Sequence, residues 1–179
     1  MEDKSQWLFN IKIQQMNHKW FALYTKSRTE KKVYTELVEK GITTYLPLEK
    51  KLKQWSDRKK WVEEPFIRSY IFVNIDVSNM DQALNTPGVV KVVRFEGKPA
   101  PVQEKQIDII KSILNSKEEY EVCSETFAPG EKVRVEEGLL KGLEGELVYH
   151  LNKYKVLVRI ESINQNILIR INPSNLKKV

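Results

Sequence analysis

The run that decides the fold lies near the middle of the chain and is Ser69-Tyr70-Ile71-Phe72-Val73-Asn74-Ile75. Because successive side chains of a β-strand point to opposite faces, this run predicts a strand with one aliphatic and one aromatic face. The aliphatic face holds Ile71, Val73 and Ile75, and the other face holds Tyr70, Phe72 and Asn74. Helices suit the aliphatic face. The aromatic face is therefore either open for a partner or closed by residues 1–17 or 50–61.

Regular elements precede this strand. The segment Lys19–Thr25 is rich in aromatic and β-prone residues and predicts a first strand. A helix is predicted next, with Ser27 and Glu30 at the spacing of a capping box and Gly41 as its left-handed stop. Residues 43–46 then predict a short second strand.

Further elements follow the central strand. Residues 78–85 predict a short helix, residues 89–95 a strand and residues 97–101 a turn. Residues 107–114 carry the apolar stripe of another helix. These elements together predict an α+β domain over residues 18–114, with an antiparallel sheet and flanking helices.

The remainder of the chain predicts a linker and a second domain. Residues 115–126 are polar, acidic and aperiodic, which is the composition of a linker. Residues 127–179 contain β-rich runs separated by turn residues, and this spacing predicts a small five-stranded β-barrel. The clearest runs are Lys132–Val135, Gly145–His150, Tyr154–Ile160 and Asn166–Ile171. For the N-terminal extension, residues 1–17, a further strand, a cover over an apolar patch and disorder all stay open.

Basic charge is concentrated in one part of the chain. The whole chain has 30 Lys and Arg against 24 Asp and Glu. Residues 18–73 alone contain 13 basic and 7 acidic side chains, which favours a partner that carries phosphate or carboxylate. Residues 50–61 are predicted to form a basic loop in which Trp55 and Trp61 are interleaved. Such rings either anchor the loop on the protein or stack on a nucleic-acid base.

The sequence contains no recognisable catalytic or metal-binding pattern. Cys123 is the single cysteine, and His18 and His150 have no ligand-type residues at workable spacing. We therefore predict no enzyme activity, no metal and no cofactor. No apolar run reaches the roughly 18 residues of a membrane helix, and the N-terminus lacks a secretory signal. We expect a cytoplasmic protein without membrane contacts.

Three segments of the first domain resemble the NGN domain of the NusG family of transcription elongation factors: residues 20–25, 64–73 and 86–89. Residues 129–145 look like the KOW motif that follows in this family. Gly138, Gly142 and Gly145 stand where tight turns favour positive φ. The resemblance implies an NGN-type domain followed by an SH3-like KOW barrel.

The same resemblance implies what the protein binds. It implies an antitermination factor that docks on the clamp helices of the largest RNA polymerase subunit, contacts non-template DNA and suppresses pausing or termination. The polymerase-binding candidates that match the family are Tyr24, Ile67, Tyr70, Phe72, Phe95 and Ile107. The nucleic-acid-binding candidates are Lys26, Arg28, Lys31 and Lys32, to which the basic loop adds Lys59 and Lys60.

Finer features are similar to one branch of the family. Residues 92–95, the Pro99-Ala100 pair and a single Lys-rich loop resemble the specialised RfaH/UpxY paralogues, which implies a restricted set of operons. The resemblance implies that the partner of the barrel can be a ribosomal protein or Rho, and the sequence leaves open which of them is bound, if either. The protein is expected to be a monomer. Residues 136–152 could also form a helix, but glycines at about 1 kcal/mol each favour the barrel. An RNA-binding or ribosome-associated KOW module is the alternative function.

Overall fold

The computed structural model of the protein describes residues 17–55 and 57–179. These residues form two compact units. The first unit holds residues up to 46 together with 68–104, and the second unit holds residues 47–67 together with 105–179. Apart from Asn17, the N-terminal extension lies outside the described residues, so its three alternatives stay open. Among the described helices, none has the length and apolar character needed to cross a lipid bilayer.

Both units consist of short helices and strands that follow one another along the chain. They are β1 (Lys19–Thr25), α1 (Glu30–Glu39), β2 (Thr43–Tyr45), β3 (Leu48–Gln54), β4 (Lys59–Pro65), β5 (Tyr70–Ile75), α2 (Met80–Leu84), β6 (Val89–Val92), β7 (Arg94–Phe95), β8 (Lys98–Pro99), β9 (Pro101–Val102), α3 (Glu104–Asn115), β10 (Tyr120–Cys123), β11 (Glu131–Val135), β12 (Glu144–His150), β13 (Lys153–Ile160), β14 (Gln165–Ile169) and β15 (Leu176–Lys178).

The first unit is built on an antiparallel sheet in the order β2, β5, β1, β6, with β9 also paired to β1. The pairing of β1 with β5 follows the alternation of both strands, from Lys19 opposite Ile75 to Tyr24 opposite Tyr70. The aliphatic face is buried as predicted, and its central residues are Phe21, Leu23, Ile71 and Val73. Helix α1 contacts β2 and β5, and its own buried apolar residues are Val33 and Leu37.

The second unit contains the hairpin β3–β4, most of α3 and a six-stranded antiparallel sheet. The strand order of this sheet is β10, β14, β13, β12, β11, β15. Aliphatic side chains of the neighbouring strands β13 and β14 are buried in its core, and they include Val156, Leu157, Ile160, Ile167 and Leu168. The predicted α+β fold with a C-terminal β domain is confirmed, and residues 144–150 are a strand rather than a helix.

Two predicted irregular segments are strands in the structure. Residues 50–54 and 59–61 of the predicted loop lie in the strands of the hairpin β3–β4, in which Leu48 pairs with Pro65 and Gln54 with Lys59. Within the predicted linker, residues 120–123 form β10 and pair with β14. Composition did not predict these strands, because strand pairing satisfies the backbone N–H and C=O groups of a charged segment as well as those of an apolar segment.

Gly145 is required for a different reason from the one predicted. Gly138 and Gly142 have φ angles of 81° and 85°, as turn residues should, but Gly145 has no positive φ. A Cβ at Gly145 would lie 2.7 Å from the carbonyl oxygen of Leu157 on the paired strand. Glycine at this position therefore allows β12 and β13 to approach closely.

Candidate functional site

Backbone hydrogen bonds fix the corner at which β1 ends. The N–H of Lys26 donates to the carbonyl of Gly88 at 2.8 Å, and the N–H of Thr25 donates to that of Ser69 at 2.9 Å. Gly88 has a φ of 97°, and a Cβ there would lie 2.8 Å from Cγ2 of Val33 on α1. Only glycine therefore lets this loop approach α1 so closely.

Glu30 holds the same corner, but not through the predicted capping box. Helix α1 begins at Glu30, its N-cap residue is Thr29, and no side chain caps it. The carboxylate of Glu30 is 4% exposed and accepts a hydrogen bond from the backbone N–H of Ser69 at 2.9 Å. Arg28 has a φ of 65°, and this left-handed residue separates Ser27 from the helix start.

Four of the predicted nucleic-acid-binding residues are grouped at this corner. All four are exposed, and they are Lys26, Arg28, Lys31 and Lys32. The ammonium of Lys32 lies 3.9 Å from the carboxylate of Glu36, and its side chain is 74% exposed, so this ion pair is weak. Lys59 and Lys60 are also exposed, but they belong to β4 in the second unit.

Tyr24 and Tyr70 form a partly exposed aromatic pair on the sheet of the first unit. They lie opposite each other on β1 and β5, with ring centroids 5.4 Å apart and the rings at 72°. Lys91 lies opposite Tyr24 on β6, and its ammonium is 5.9 Å from the centre of the Tyr24 ring. Burial, and to a lesser degree Tyr24, raises the pKa of Tyr70. The three residues offer apolar rings and a cation side by side.

Other residues of the predicted contact set are not open. Phe72 shares a sheet face with Tyr70, yet it is fully buried, with its ring stacked on Tyr45 at 6.3 Å. Ile67 and Ile107, both in the second unit, are buried as well. The prediction of an open apolar face is therefore wrong at these three positions, because a fully packed side chain cannot contact a partner. Phe95, on the hairpin β7–β8, is 71% exposed.

Two residues of this region, Lys91 and Tyr45, were not predicted from the sequence. Lys91 reaches Tyr24 because β6 pairs with β1, with Val92 opposite Leu23 and Lys91 opposite Tyr24, and the register shifts immediately after this pair. No residue pattern signals such a shift. Tyr45 is stacked on Phe72, and burial raises its pKa to about 12. Alternation on β2 could have identified Tyr45 if the pairing of this short strand with β5 had been known.

The chemistry of the described residues is that of a binding surface. They contain no group of three or more His, Cys, Asp or Glu side chains that could hold a metal ion. Burial raises the pKa of the Cys123 thiol, which disfavours the reactive thiolate. The partly exposed aromatic pair and the basic corner of this α+β unit have the chemistry of surfaces that bind other macromolecules.

Comparison with known proteins identifies the family. The model of the NusG family, described as transcription termination factor nusG, matches residues 18–111, and the chain belongs to this family. The NusG transcription termination/antitermination protein of Pasteurella multocida is 27% identical over 158 residues, with 79% of this chain and 86% of the relative covered. That of Pseudomonas aeruginosa is 25% identical over 160 residues, with 81% and 90% covered.

A solved structure also shares the fold. The structure described as "Domain interaction in Thermotoga maritima NusG" has a TM-score of 0.54 and 22% identity, and the match covers 92% of this chain and 99% of that one. The resemblance found in the sequence is thus confirmed at the level of the family. The protein is a transcription termination/antitermination factor of the NusG type.

Proposed function

We propose that the protein docks on the clamp helices of the largest RNA polymerase subunit through Tyr24, Tyr70 and Phe95. The observation that carries this proposal is the partly exposed Tyr24–Tyr70 pair beside Lys91 in a chain of the NusG family. Tyrosine and phenylalanine are enriched at the centres of protein interfaces, and a neighbouring cation suits a partner with acidic residues at its rim.

The basic corner contacts non-template DNA in this proposal. Its four cations, at residues 26, 28, 31 and 32, are exposed and stand on a backbone held by hydrogen bonds. Contacts to phosphate carry little sequence information but make binding depend on salt. Lys59 and Lys60 add phosphate contacts from the second unit.

The proposed activity is the suppression of pausing or termination. A factor that binds one conformation of the polymerase clamp better than another shifts their populations by the ratio of the two affinities. The C-terminal β domain recruits a ribosomal protein or Rho. Because this domain is attached to the polymerase-bound first unit, it raises the local concentration of the recruited partner near the polymerase. A restricted set of operons, as for RfaH/UpxY paralogues, is favoured by the single basic hairpin at residues 48–65.

Capture by the isolated clamp helices tests this proposal. We expect the double variant Tyr24→Ala, Tyr70→Ala to lose at least about tenfold in affinity, because paired aromatic residues often dominate an interface. The measurement is binding of the full-length protein to immobilised clamp helices, with circular dichroism to show that the variant remains folded.

A second aromatic pair provides the matched control. Tyr149 and Tyr154 lie on β12 and β13, are 62% and 60% exposed, and have centroids 5.0 Å apart. Replacing both by alanine removes the same chemical groups and should leave capture unchanged. Wild-type affinity in the Tyr24, Tyr70 variant would remove the docking assignment.

A further inference from the structure

The hairpin β3–β4 exposes large apolar side chains at its distal half, residues 52–55 and 57–61. Leu52 and Trp61 lie opposite each other on one face and are 49% and 66% exposed. Trp55, at the start of the turn, is 54% exposed. The two strands are joined next to the turn by a hydrogen bond from the N–H of Trp55 to the carbonyl of Arg58 at 2.8 Å. The exposed rings therefore belong to a defined hairpin.

The base of the hairpin already has its own anchor. Tyr120 of β10 donates a hydrogen bond to the buried carboxylate of Glu49 at 3.2 Å, and its ring contacts that of Phe66 at 5.1 Å. Burial and the neighbouring Glu49 raise the pKa of Tyr120 to about 12. These contacts hold the proximal half of the hairpin, whereas the two indole rings of the distal half are more than half exposed.

Charge along the hairpin changes from its base to its tip. Three of its four acidic residues are in the proximal half, at positions 49, 63 and 64. The distal half contains Lys53, Arg58, Lys59 and Lys60 against the single acid Asp57. Lys53 pairs with Glu64, and Arg58 lies 3.8 Å from Asp57. Among the described residues, Lys59 and Lys60 form no ion pair, so they are free to bind an anion.

We propose that the distal half binds single-stranded DNA, with bases stacked on its indole rings and phosphates on its lysines. Lys59 shares a face with Trp61, so a ring and a cation point to the same side. Stacking needs unpaired bases, and alternating rings and cations are typical of surfaces that bind a single strand. A protein partner would instead bury free ammonium groups at a cost. The choice of DNA rests on the proposed contact with a non-template strand.

Binding of labelled oligonucleotides to the full-length protein, without polymerase, tests this inference. We expect Trp61→Ala to weaken binding of a 15-nucleotide thymidine strand by roughly 5- to 100-fold, as loss of one stacked base does. Trp61→Phe should restore most of the affinity. An abasic strand with the same phosphates should bind weakly and be insensitive to Trp61→Ala.

Lys59→Ala, on the same face as Trp61, is the complementary variant. It should weaken binding of both the thymidine and the abasic strand, and lower the salt slope by about 0.7, whereas Trp61→Ala should leave the slope unchanged. Tighter binding of duplex DNA or of oligouridine than of the thymidine strand would overturn the inference. So would a Trp61→Ala variant that keeps strand binding but loses capture by clamp helices. The docking proposal stands or fails separately, because its test contains no nucleic acid.

Discussion

Glu30 shows how one residue can satisfy a local pattern and still act at long range. Its spacing from Ser27 indicates a capping box, yet its carboxylate binds the N–H of Ser69, 39 residues further along the chain. A buried carboxylate needs a donor, and the donor that Glu30 finds belongs to the turn before β5. The sequence places Glu30 correctly at the helix start, but a tertiary contact decides its partner.

Two alanine variants separate these interpretations. Glu30→Ala should lower the free energy of unfolding by about 1–3 kcal/mol, because the Ser69 N–H is left without its acceptor. Ser27→Ala should change it by less than about 0.5 kcal/mol, since Ser27 is exposed and does not cap α1. Urea denaturation of both variants measures the difference. Equal losses would favour the capping box.

Among the elements, those with apolar alternation are predictable from the sequence and those without it are not. β1 and β5 were predicted within one residue of their observed bounds because their side chains alternate. More than half of the residues of β3 and β4 are Lys or Glu, and β10 is a four-residue strand in an acidic segment, so backbone pairing rather than apolar alternation reveals these strands. The site follows the same rule: the exposed cations were predictable, whereas the burial of Phe72 depends on how whole elements pack.

The contact between β12 and β13 should make stability depend on pH. Glu146 accepts hydrogen bonds from Arg159 at 2.9 and 3.1 Å and from the N–H of Gly130 at 2.9 Å. The Arg159 hydrogen bond is the main cause that lowers the pKa of Glu146. A lowered native pKa means that this stabilisation is complete above the unfolded pKa of about 4.3 and is lost as pH falls through the native value.

Urea denaturation at a series of pH values measures this effect. Glu146→Gln should be less stable than the wild type at pH 7, and the difference should shrink below about pH 4. The exposed Glu118 supplies a control, because Glu118→Gln should follow the wild-type curve at every pH. A constant difference between Glu146→Gln and the wild type down to acid pH would contradict the assignment.

At the scale of the whole molecule, neither of the two units is a continuous stretch of the chain. The first unit is interrupted by residues 47–67, which belong to the second. Predicted nucleic-acid-binding residues consequently occur in both units, at positions 26–32 and 59–60. Net charge alone cannot distinguish a specific basic surface from general attraction to nucleic acid.

Charge reversal at two places distinguishes a specific basic surface from general attraction to nucleic acid. Replacing Lys31 and Lys32 by glutamate should weaken attachment to a transcription elongation complex and lower the salt slope by about 0.7 per lost contact with a single strand. The same change at Lys117 and Lys141, exposed residues of the second unit, alters net charge equally and should leave the slope near that of the wild type. Equal slopes in the two variants would mean that the basic corner faces water.

The position of β10 at one end of the six-stranded sheet affects self-association. A terminal strand leaves backbone N–H and C=O groups free to pair with another chain, which promotes aggregation. β10 is only four residues long, and glutamates occupy positions 118, 119, 121 and 125 in and around it. A second copy that added a strand here in antiparallel register would bring acidic side chains together. The acidic composition of this segment thus opposes polymerisation through the sheet.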